Sequence, residues 1–134
     1  MVTAPHPLVF IVDNEELIVR ALHRVLVRAG YRTACLGSAQ AARECSREES
    51  PAAVITDLNM PTEHGLSLLS ELRERDPHVA TVLLTGGELT PEMLPLAARY
   101  ADAVVTKPCE PNQLVQRLDQ ILADRVAERL HGSH

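Results

Sequence analysis

Short apolar runs alternate along this chain with longer segments in which apolar and polar positions are mixed. The apolar runs hold five or six residues, which is too short for a surface helix, so we predict that they form buried β-strands. They cover residues 8–12, 31–36, 52–57, 79–84 and 101–106, the second being the weakest. The third run ends at Asp57, because the Pro61 that follows shortly afterwards cannot continue a ladder of hydrogen bonds.

The segments between the predicted strands have the spacing of helices with one apolar face. Asn14 is placed to cap the first helix, and Gly30 is placed to end it. The positions expected on its apolar face are Leu17, Ile18, Ala21, Leu22, Val25 and Leu26. Ser38 can likewise cap a second helix that extends to about Glu48, and Pro111 opens the last helix.

Prolines delimit the two helices between these. The third helix has leucines at positions 66, 69 and 72 and ends before Pro77. Thr90 followed by a proline is a good start for the fourth helix, but Pro95 would then remove an interior hydrogen bond. The fourth helix therefore either starts near Pro95 or has a distorted first turn.

Strands and helices thus alternate five times, with connections too short for anything but βα units. Since crossovers between parallel strands are right-handed, this order predicts an α/β fold with a parallel five-stranded sheet and helices on both of its faces. No linker or repeat interrupts the pattern, so we expect a single domain over residues 1–134.

The composition and charge of the chain argue against several classes of function. The chain of 134 residues is 46% hydrophobic and only 2% aromatic, so aliphatic side chains must build its core. Its formal net charge is −5 without a basic cluster, which argues against direct nucleic-acid binding, and no apolar run approaches the roughly 20 residues of a membrane span. Three scattered cysteines and an N-terminus without a signal-peptide pattern fit a cytoplasmic protein.

Polar side chains follow the carboxyl ends of four predicted strands, and these ends converge at one edge of a parallel sheet. They are Asp13 with Asn14, then Asp57, Thr85 and Lys107. Two carboxylates crowded together need a cation, and a site with few dedicated oxygen ligands suits Mg²⁺. A carboxylate beside Mg²⁺ can attack phosphorus and form an aspartyl-phosphate, with an ammonium and a hydroxyl stabilising the phosphoryl oxygens.

Each of these residues also has an ordinary structural explanation. Asp57 can be a turn or cap residue, Thr85 before two glycines is common turn chemistry, and Lys107 can be a solvated surface lysine. His64 is expected to be a surface loop residue and Cys109 a packed small side chain. The chemical explanation is favoured by the combination of several such residues at one sheet edge.

Four short motifs surround these residues. They are Val9-Phe10-Ile11-Val12-Asp13-Asn14-Glu15, then Thr56-Asp57-Leu58-Asn59-Met60-Pro61 with Gly65, then Leu83-Leu84-Thr85-Gly86, and finally Thr106-Lys107-Pro108. In this order and at these spacings they resemble the receiver domain of two-component response regulators, the CheY-like family, over about residues 7–123. The resemblance implies a flavodoxin-like (βα)5 fold with strand order 2-1-3-4-5, followed by a C-terminal helix extension and tail at 124–134.

The resemblance also implies a role for each residue. Asp57 would accept a phosphoryl group from a histidine kinase or a phosphotransfer protein, and the chain would catalyse only its own phosphorylation and dephosphorylation. Mg²⁺ would be held by Asp13, Asp57 and the backbone carbonyl of Asn59, whose side chain would stay free to tune hydrolysis. Thr85 would move onto the phosphoryl group, and Lys107 would pair with it beside a cis bond to the following proline. An output protein, or an output domain outside this chain, would respond, and phosphorylation could be linked to dimer formation.

Besides Pro95, which lies in the predicted fourth helix on the surface where many receivers bind partners, two positions depart from the family pattern. Asn14 stands where the family usually has a second acid, so it would be a weak, uncharged metal ligand, and Val104 stands where the family often has an aromatic switch residue. These departures keep open a second hypothesis, a pseudo-receiver that serves as an interaction module with weak or no phosphorylation. A third hypothesis is a haloacid-dehalogenase-type phosphatase, although that family places its nucleophile after the first strand in an Asp-x-Asp motif.

Overall fold

The computed structural model describes residues 6–131, with side chains described as far as residue 128. The N-terminal segment 1–5 and the tail residues 132–134, which the sequence analysis considered, lie outside the described residues. Five strands and five helices alternate: β1 (Leu8–Val12), α1 (Glu16–Arg28), β2 (Arg32–Leu36), α2 (Ala39–Glu48), β3 (Ala53–Asp57), α3 (Gly65–Arg75), β4 (Ala80–Thr85), α4 (Leu94–Tyr100), β5 (Ala103–Thr106) and α5 (Pro111–His131).

The five strands form one parallel sheet in the order β2-β1-β3-β4-β5. The predicted α/β fold, a flavodoxin-like (βα)5 arrangement, is therefore confirmed. Asp57 pairs in register with Leu84, and Thr85 pairs with Thr106, so the carboxyl ends of β3, β4 and β5 lie side by side. β1 and β3 are adjacent, which brings the residue after β1 to the same edge.

The core lies on both faces of the sheet, because neighbouring residues of a strand point to opposite faces. Val9 and Ile11 of β1 pack with α1 and α5, whereas Phe10 and Val12 pack with α2, α3 and α4. Aliphatic side chains dominate both clusters, as the composition predicts. Among the described helices, none is both long enough and apolar enough to cross a membrane.

The helix boundaries largely follow the sequence signals. The hydroxyl of Ser38 accepts the N–H of Ala41 at 3.1 Å and caps α2, as predicted. Gly30, with φ +99°, follows the end of α1 in the left-handed conformation that glycine favours. α4 starts at Leu94 with Pro95 in its first turn, where no intrahelical N–H bond is lost, so the first of the two alternatives for this helix is confirmed.

Two predictions for α1 are wrong. The residue that precedes the helix is Glu15 rather than Asn14, and no side chain caps this helix end. Leu17 is 82% exposed instead of lying on the apolar face. The buried stripe runs through Leu22 and Leu26, and Leu17 lies in the first turn on the margin of that stripe, where it faces solvent.

Candidate functional site

Three predicted site residues come into direct contact at the carboxyl edge of the sheet. The Nζ atom of Lys107 lies 3.2 Å from Oδ1 of Asp57 and 3.3 Å from Oδ2 of Asp13. Asp13 follows β1, Asp57 ends β3 and Lys107 follows β5, so each is placed by the end of its own strand. Both aspartates are buried, and the lysine side chain is 14% exposed. The structure thus brings together the two carboxylates and the ammonium that the sequence predicted.

Glu15 joins this group, although the sequence analysis gave it no role there. Its Oε1 atom lies 2.7 Å from Nζ of Lys107, the shortest of the lysine's three ion pairs. One carboxylate oxygen from each of Asp13, Glu15 and Asp57 lies within 4.8 Å of the others. The signal in the sequence is an acid two residues after Asp13, which closes the first motif.

Asp13 is held by the turn that leads into α1. Its Oδ1 atom accepts the backbone N–H of Glu15 at 2.8 Å, which fixes the carboxylate against the turn. Its Oδ2 atom is buried and makes no hydrogen bond within the described part of the chain. A buried carboxylate oxygen that has only the Lys107 ammonium, at 3.3 Å, to balance its charge fits a site for a further cation, and three carboxylates match the oxygen ligands that Mg²⁺ prefers.

The surroundings of the site raise the pKa of both its acid, Asp57, and its base, Lys107. Burial raises the pKa of Asp57 and the charge of Asp13 raises it further, while Lys107 and a backbone hydrogen bond from Asn59 partly counteract them. Burial by itself would lower the pKa of Lys107, yet its contacts with Glu15, Asp57 and Asp13 raise that pKa above its usual range. Lys107 therefore remains an ammonium at neutral pH. The ionised form of Asp57 is disfavoured, because burial and the charge of Asp13 outweigh the positive charge of Lys107.

Asn14 lies beside this group but is exposed. The chain turns at Asp13, whose carboxylate accepts a hydrogen bond from the N–H of Glu15. The Asn14 side chain therefore does not cap α1 as predicted. This turn directs the side chain of Glu15 toward Lys107. The carboxylate that completes the group of three therefore comes from position 15 rather than from position 14.

Thr85 lies at the end of β4, one residue later than the predicted end of this strand, and is 2% exposed. Its hydroxyl accepts the N–H of Gly87 at 3.1 Å, and its backbone carbonyl accepts the N–H of Lys107 at 2.8 Å. Gly87 has φ +100°, a conformation that favours glycine. The Gly-Gly pair thus forms the turn that holds the Thr85 hydroxyl at the sheet edge.

Asn59 has a different environment from the one expected. Its side chain is not free: Nδ2 donates to Oε1 of Glu88 at 2.6 Å, joining the β3–α3 loop to the β4–α4 loop. The prediction of a free side chain was wrong because it considered only residues close in sequence. The backbone of Asn59 stays beside the Asp57 carboxylate, where it acts to lower the pKa of that group.

The β3–α3 loop is fixed at its far end by packing and by an ion pair. The N–H of Gly65 donates to the carbonyl of Leu58 at 2.7 Å. The guanidinium of Arg43, on α2, binds both carboxylate oxygens of Glu63 at 2.6 and 2.7 Å. His64 precedes α3, and its Nδ1 accepts the N–H of Ser67, so this residue caps a helix.

Three features of β5 and of the residues just after it complete the geometry. Val104, at the position of the absent aromatic residue, is 44% exposed. The Lys107–Pro108 peptide bond is cis, as the resemblance implied. Cys109 is half-buried and packs against the cluster beneath α1 and α5, in agreement with its interpretation as a packed side chain.

Comparisons with a family model and with curated proteins both find matches over most of this chain. The family model of the response regulator receiver domain matches residues 9–119. The TorCAD operon transcriptional regulatory protein TorR of Escherichia coli K12 is 33% identical over 118 residues, which cover 88% of this chain and 50% of that protein. Protein PetR of Rhodobacter capsulatus is 36% identical over 123 residues, which cover 91% of this chain and 51% of that protein. The chain therefore spans about half the length of these curated relatives.

Solved structures show the same fold. A CheY-like response regulator receiver domain protein from Methanospirillum hungatei JF-1 superposes with a TM-score of 0.85 at 22% identity, covering 92% of this chain and 98% of that one. The signal receiver domain of an HD domain-containing protein from Pseudomonas fluorescens Pf-5 gives a TM-score of 0.84 at 23% identity, covering 96% of both chains. At these identities the likeness supports the fold alone.

Proposed function

The chain belongs to the response regulator receiver domain family, and on that premise we propose that it is a phosphorylation-dependent switch whose acceptor is Asp57. Receiver domains are signalling modules rather than classical enzymes, so the reaction proposed is a single transfer onto the chain itself and its later reversal by hydrolysis. Family membership excludes the phosphatase hypothesis. We propose that residues 1–134 act as one receiver unit with its core at about 7–123.

The observation that carries the proposal is the position of the buried Asp57 carboxylate, 3.2 Å from the Lys107 ammonium and beside two further carboxylates. In the transfer, an oxygen of Asp57 forms a bond to phosphorus as the bond from phosphorus to the donor breaks. The donor atom leaves with the electron pair of that bond. The like charges at this edge oppose the approach of a phosphoryl group, so the reaction depends on positive charge.

Asp13, Asp57, Glu15 and the backbone carbonyl of Asn59 would hold Mg²⁺, with Asn14 as a weak additional ligand. Bound there, Mg²⁺ would neutralise the charge on the phosphoryl oxygens. Lys107 would then pair with a phosphoryl oxygen, because its ammonium already lies at the Asp57 carboxylate. Thr85 would donate a hydrogen bond from its hydroxyl group to another phosphoryl oxygen.

The donor would be the phosphohistidine of a sensor kinase or of a phosphotransfer protein in the cytoplasm. The phosphoryl group adds charge and strong acceptors beside the Thr85 loop, which biases a two-state equilibrium and changes the surface formed by α4 and β5. Because the chain spans about half of relatives named as transcriptional regulators, the response would pass to an output domain or to a separate output protein. Phosphorylation-linked dimer formation is a further part of the proposal, whereas direct nucleic-acid binding by this chain is not.

The test is Mg²⁺-dependent labelling by acetyl phosphate, followed by intact mass measurement. We expect one added phosphoryl group on the wild-type chain and none on Asp57→Asn. Asp124→Asn, which changes an exposed aspartate of α5 in the same way, should be labelled like the wild type. Beryllofluoride, an anionic mimic of the phosphoryl group, should bind to the wild-type chain.

One observation favours a second candidate function. The acid usual at position 14 is an amide here, and its side chain is exposed, which motivates a pseudo-receiver that presents a constant interaction surface. Absence of labelling by any small donor, together with absence of beryllofluoride binding, would establish this alternative and overturn the first.

A further inference from the structure

A carboxylate from the β4–α4 loop reaches across to the residue that lies two positions after Asp57. Oε1 of Glu88 accepts the side-chain amide of Asn59 at 2.6 Å, between loops that are 29 residues apart in sequence. The backbone of Asn59 lies beside the carboxylate of Asp57 and acts to lower its pKa. The Glu88 carboxylate is therefore held against the loop that directly follows the proposed phosphorylation site.

The glycine that follows Thr85 permits this arrangement. A Cβ atom at Gly86 would lie 2.9 Å from Oε2 of Glu88, which is closer than real Cβ contacts. The carboxylate therefore folds back over the turn after β4 instead of extending into solvent. The amide of Asn59 binds the carboxylate on one side, and the absence of a side chain at Gly86 leaves room for it on the other.

Four carboxylates border this edge of the sheet, and one ammonium pairs with three of them. The carboxylates belong to Asp13, Glu15, Asp57 and Glu88, and the ammonium belongs to Lys107. The first three can share a divalent cation, because their oxygens lie within 4.8 Å of one another. Glu88 stands outside that group, so its negative charge would persist when the other three are neutralised.

We infer that Glu88, positioned by Asn59, is a specificity-determining residue that slows phosphoryl transfer from small anionic donors. This inference rests on the proposed function of Asp57. A fixed negative charge at the entrance of a site lowers the local concentration of anions and their rate of arrival. A protein donor that presents a lysine or arginine toward Glu88 escapes this penalty, because the pair of opposite charges is then formed across the interface.

The contact is suited to controlling access rather than stability. Glu88 and Asn59 are both exposed, and a hydrogen bond between exposed groups exchanges with water at little net gain. Glu88→Gln keeps an oxygen that can accept the amide of Asn59 and removes the charge alone. A matched control is Glu92→Gln, which removes an exposed carboxylate from the same loop without the contact to Asn59.

The experiment compares the rates at which Mg²⁺-loaded wild-type and variant chains are labelled by two donors. Acetyl phosphate is a dianion at neutral pH, and phosphoramidate carries a smaller net negative charge. We expect Glu88→Gln to accelerate labelling by acetyl phosphate about threefold to tenfold, with a smaller gain for phosphoramidate and for either donor at high salt. Glu92→Gln should leave both rates within about twofold of the wild type.

A double-mutant cycle tests the part played by Asn59. Asn59→Ala should raise the rate with acetyl phosphate when Glu88 is present, and should add nothing in the Glu88→Gln background. The affinity for beryllofluoride should rise in Glu88→Gln as well, which is a readout independent of transfer. Both results would show that the charge acts at the site itself.

The two possible failures are distinguishable. If the wild type is labelled and Glu88→Gln is labelled no faster, or Glu92→Gln gains as much, the inference is overturned while the proposed function stands. Equal gains with both donors overturn it too, because an effect of charge must depend on the charge of the donor. If the wild type is labelled by neither donor, the proposed function and the inference fall together.

Discussion

A Cβ atom at Gly65 would collide with the backbone carbonyl oxygen of Asp57. The side chain of Thr56 would lie only 3.0 Å from the same added atom. The first turn of α3 is therefore pressed against the last residues of β3, and the absence of a side chain at position 65 permits this contact. The position of the Asp57 carboxylate depends on this packing, since the residue before it and the residue itself both touch the glycine.

Gly65→Ala should destabilise the chain by about 1–3 kcal/mol, the usual cost of forcing an extra methyl group into a packed region. The backbone around Asp57 cannot yield as a flexible side chain would. Urea unfolding followed by circular dichroism measures this, and labelling by acetyl phosphate should also slow.

Gly37→Ala is the matched control, because no atom lies within 4 Å of a Cβ added there. It should change the free energy of unfolding by less than about 0.5 kcal/mol. Equal effects of the two substitutions would show that the contact with Asp57 has no special cost.

Asp57→Asn should raise the stability of the chain at neutral pH in the presence of a chelator. Folding raises the pKa of this carboxyl above its ordinary value of 3.8, through burial first and the charge of Asp13 second. The folded state therefore holds the proton more tightly than the unfolded state, and ionised Asp57 reduces stability above the raised pKa. The advantage of the variant should shrink as the pH falls through the raised pKa toward 3.8. A urea midpoint for Asp57→Asn below that of the wild type at neutral pH would contradict this account.

Glu63→Gln should have the opposite pH dependence. The hydrogen bonds from Arg43, and its charge, lower the pKa of Glu63 against a smaller effect of burial. The stability that this pair contributes is present above the ordinary carboxyl pKa and is lost as the pH falls through the lowered pKa. We expect a loss of about 1 kcal/mol at neutral pH, because the pair is bidentate and partly buried, and none in strong acid. Glu48→Gln, an exposed change on α2, should cost less at every pH.

The fold was predictable because a parallel sheet covered on both faces makes its strands continuously apolar. Apart from the edge strand β2, the strands therefore appear as short apolar runs, and the polar residues at the ends of these four strands mark the sheet edge. Ser38 and Pro111 also acted through local chemistry, the first as a helix cap and the second as the first residue of α5. Such signals lie within a few residues of the element that they determine.

The remaining features of the site depend on contacts between distant segments. Glu15 meets Lys107 across 92 residues, and Asn59 meets Glu88 across 29. No local pattern specifies which exposed acid will turn toward which partner. The family resemblance implied a metal ligand at position 14, whereas the turn formed by Asp13 directs the side chain at position 15 toward Lys107.

Glu15→Gln should weaken Mg²⁺ binding more than Asn14→Ala does. The carboxylate of Glu15 lies within the group of three, and Asn14 is exposed beside it. Removing one of three charged ligands should cost about tenfold in affinity, measured by calorimetric titration of the folded chain. Asn14→Asp should strengthen binding and speed labelling, and the double variant Asn14→Asp with Glu15→Gln should recover part of the loss. An equal loss of affinity in Asn14→Ala and Glu15→Gln would show that Glu15 has no particular part in the site.

Asp102→Ala should destabilise the fold without impairing the proposed transfer. The Asp102 carboxylate accepts the N–H of Thr81 at 2.9 Å and a guanidinium N–H of Arg73 at 2.8 Å, and it also binds Arg125. It thereby joins α3, β4 and α5 at the amino ends of the strands, opposite the edge that carries Asp57.

The side chain of Arg125, on the last helix, is only 17% exposed. Removal of Asp102 would take the carboxylate partner from the partly buried Arg73 and leave Arg125 paired with Glu128, a loss that we expect to reach about 2–3 kcal/mol in urea unfolding. Asp124→Ala, an exposed neighbour on α5, should cost far less. Labelling of the folded Asp102→Ala chain at the wild-type rate would show that this cluster contributes to the stability of the domain and not to the transfer. A slowed rate in fully folded protein would instead connect the two ends of the sheet.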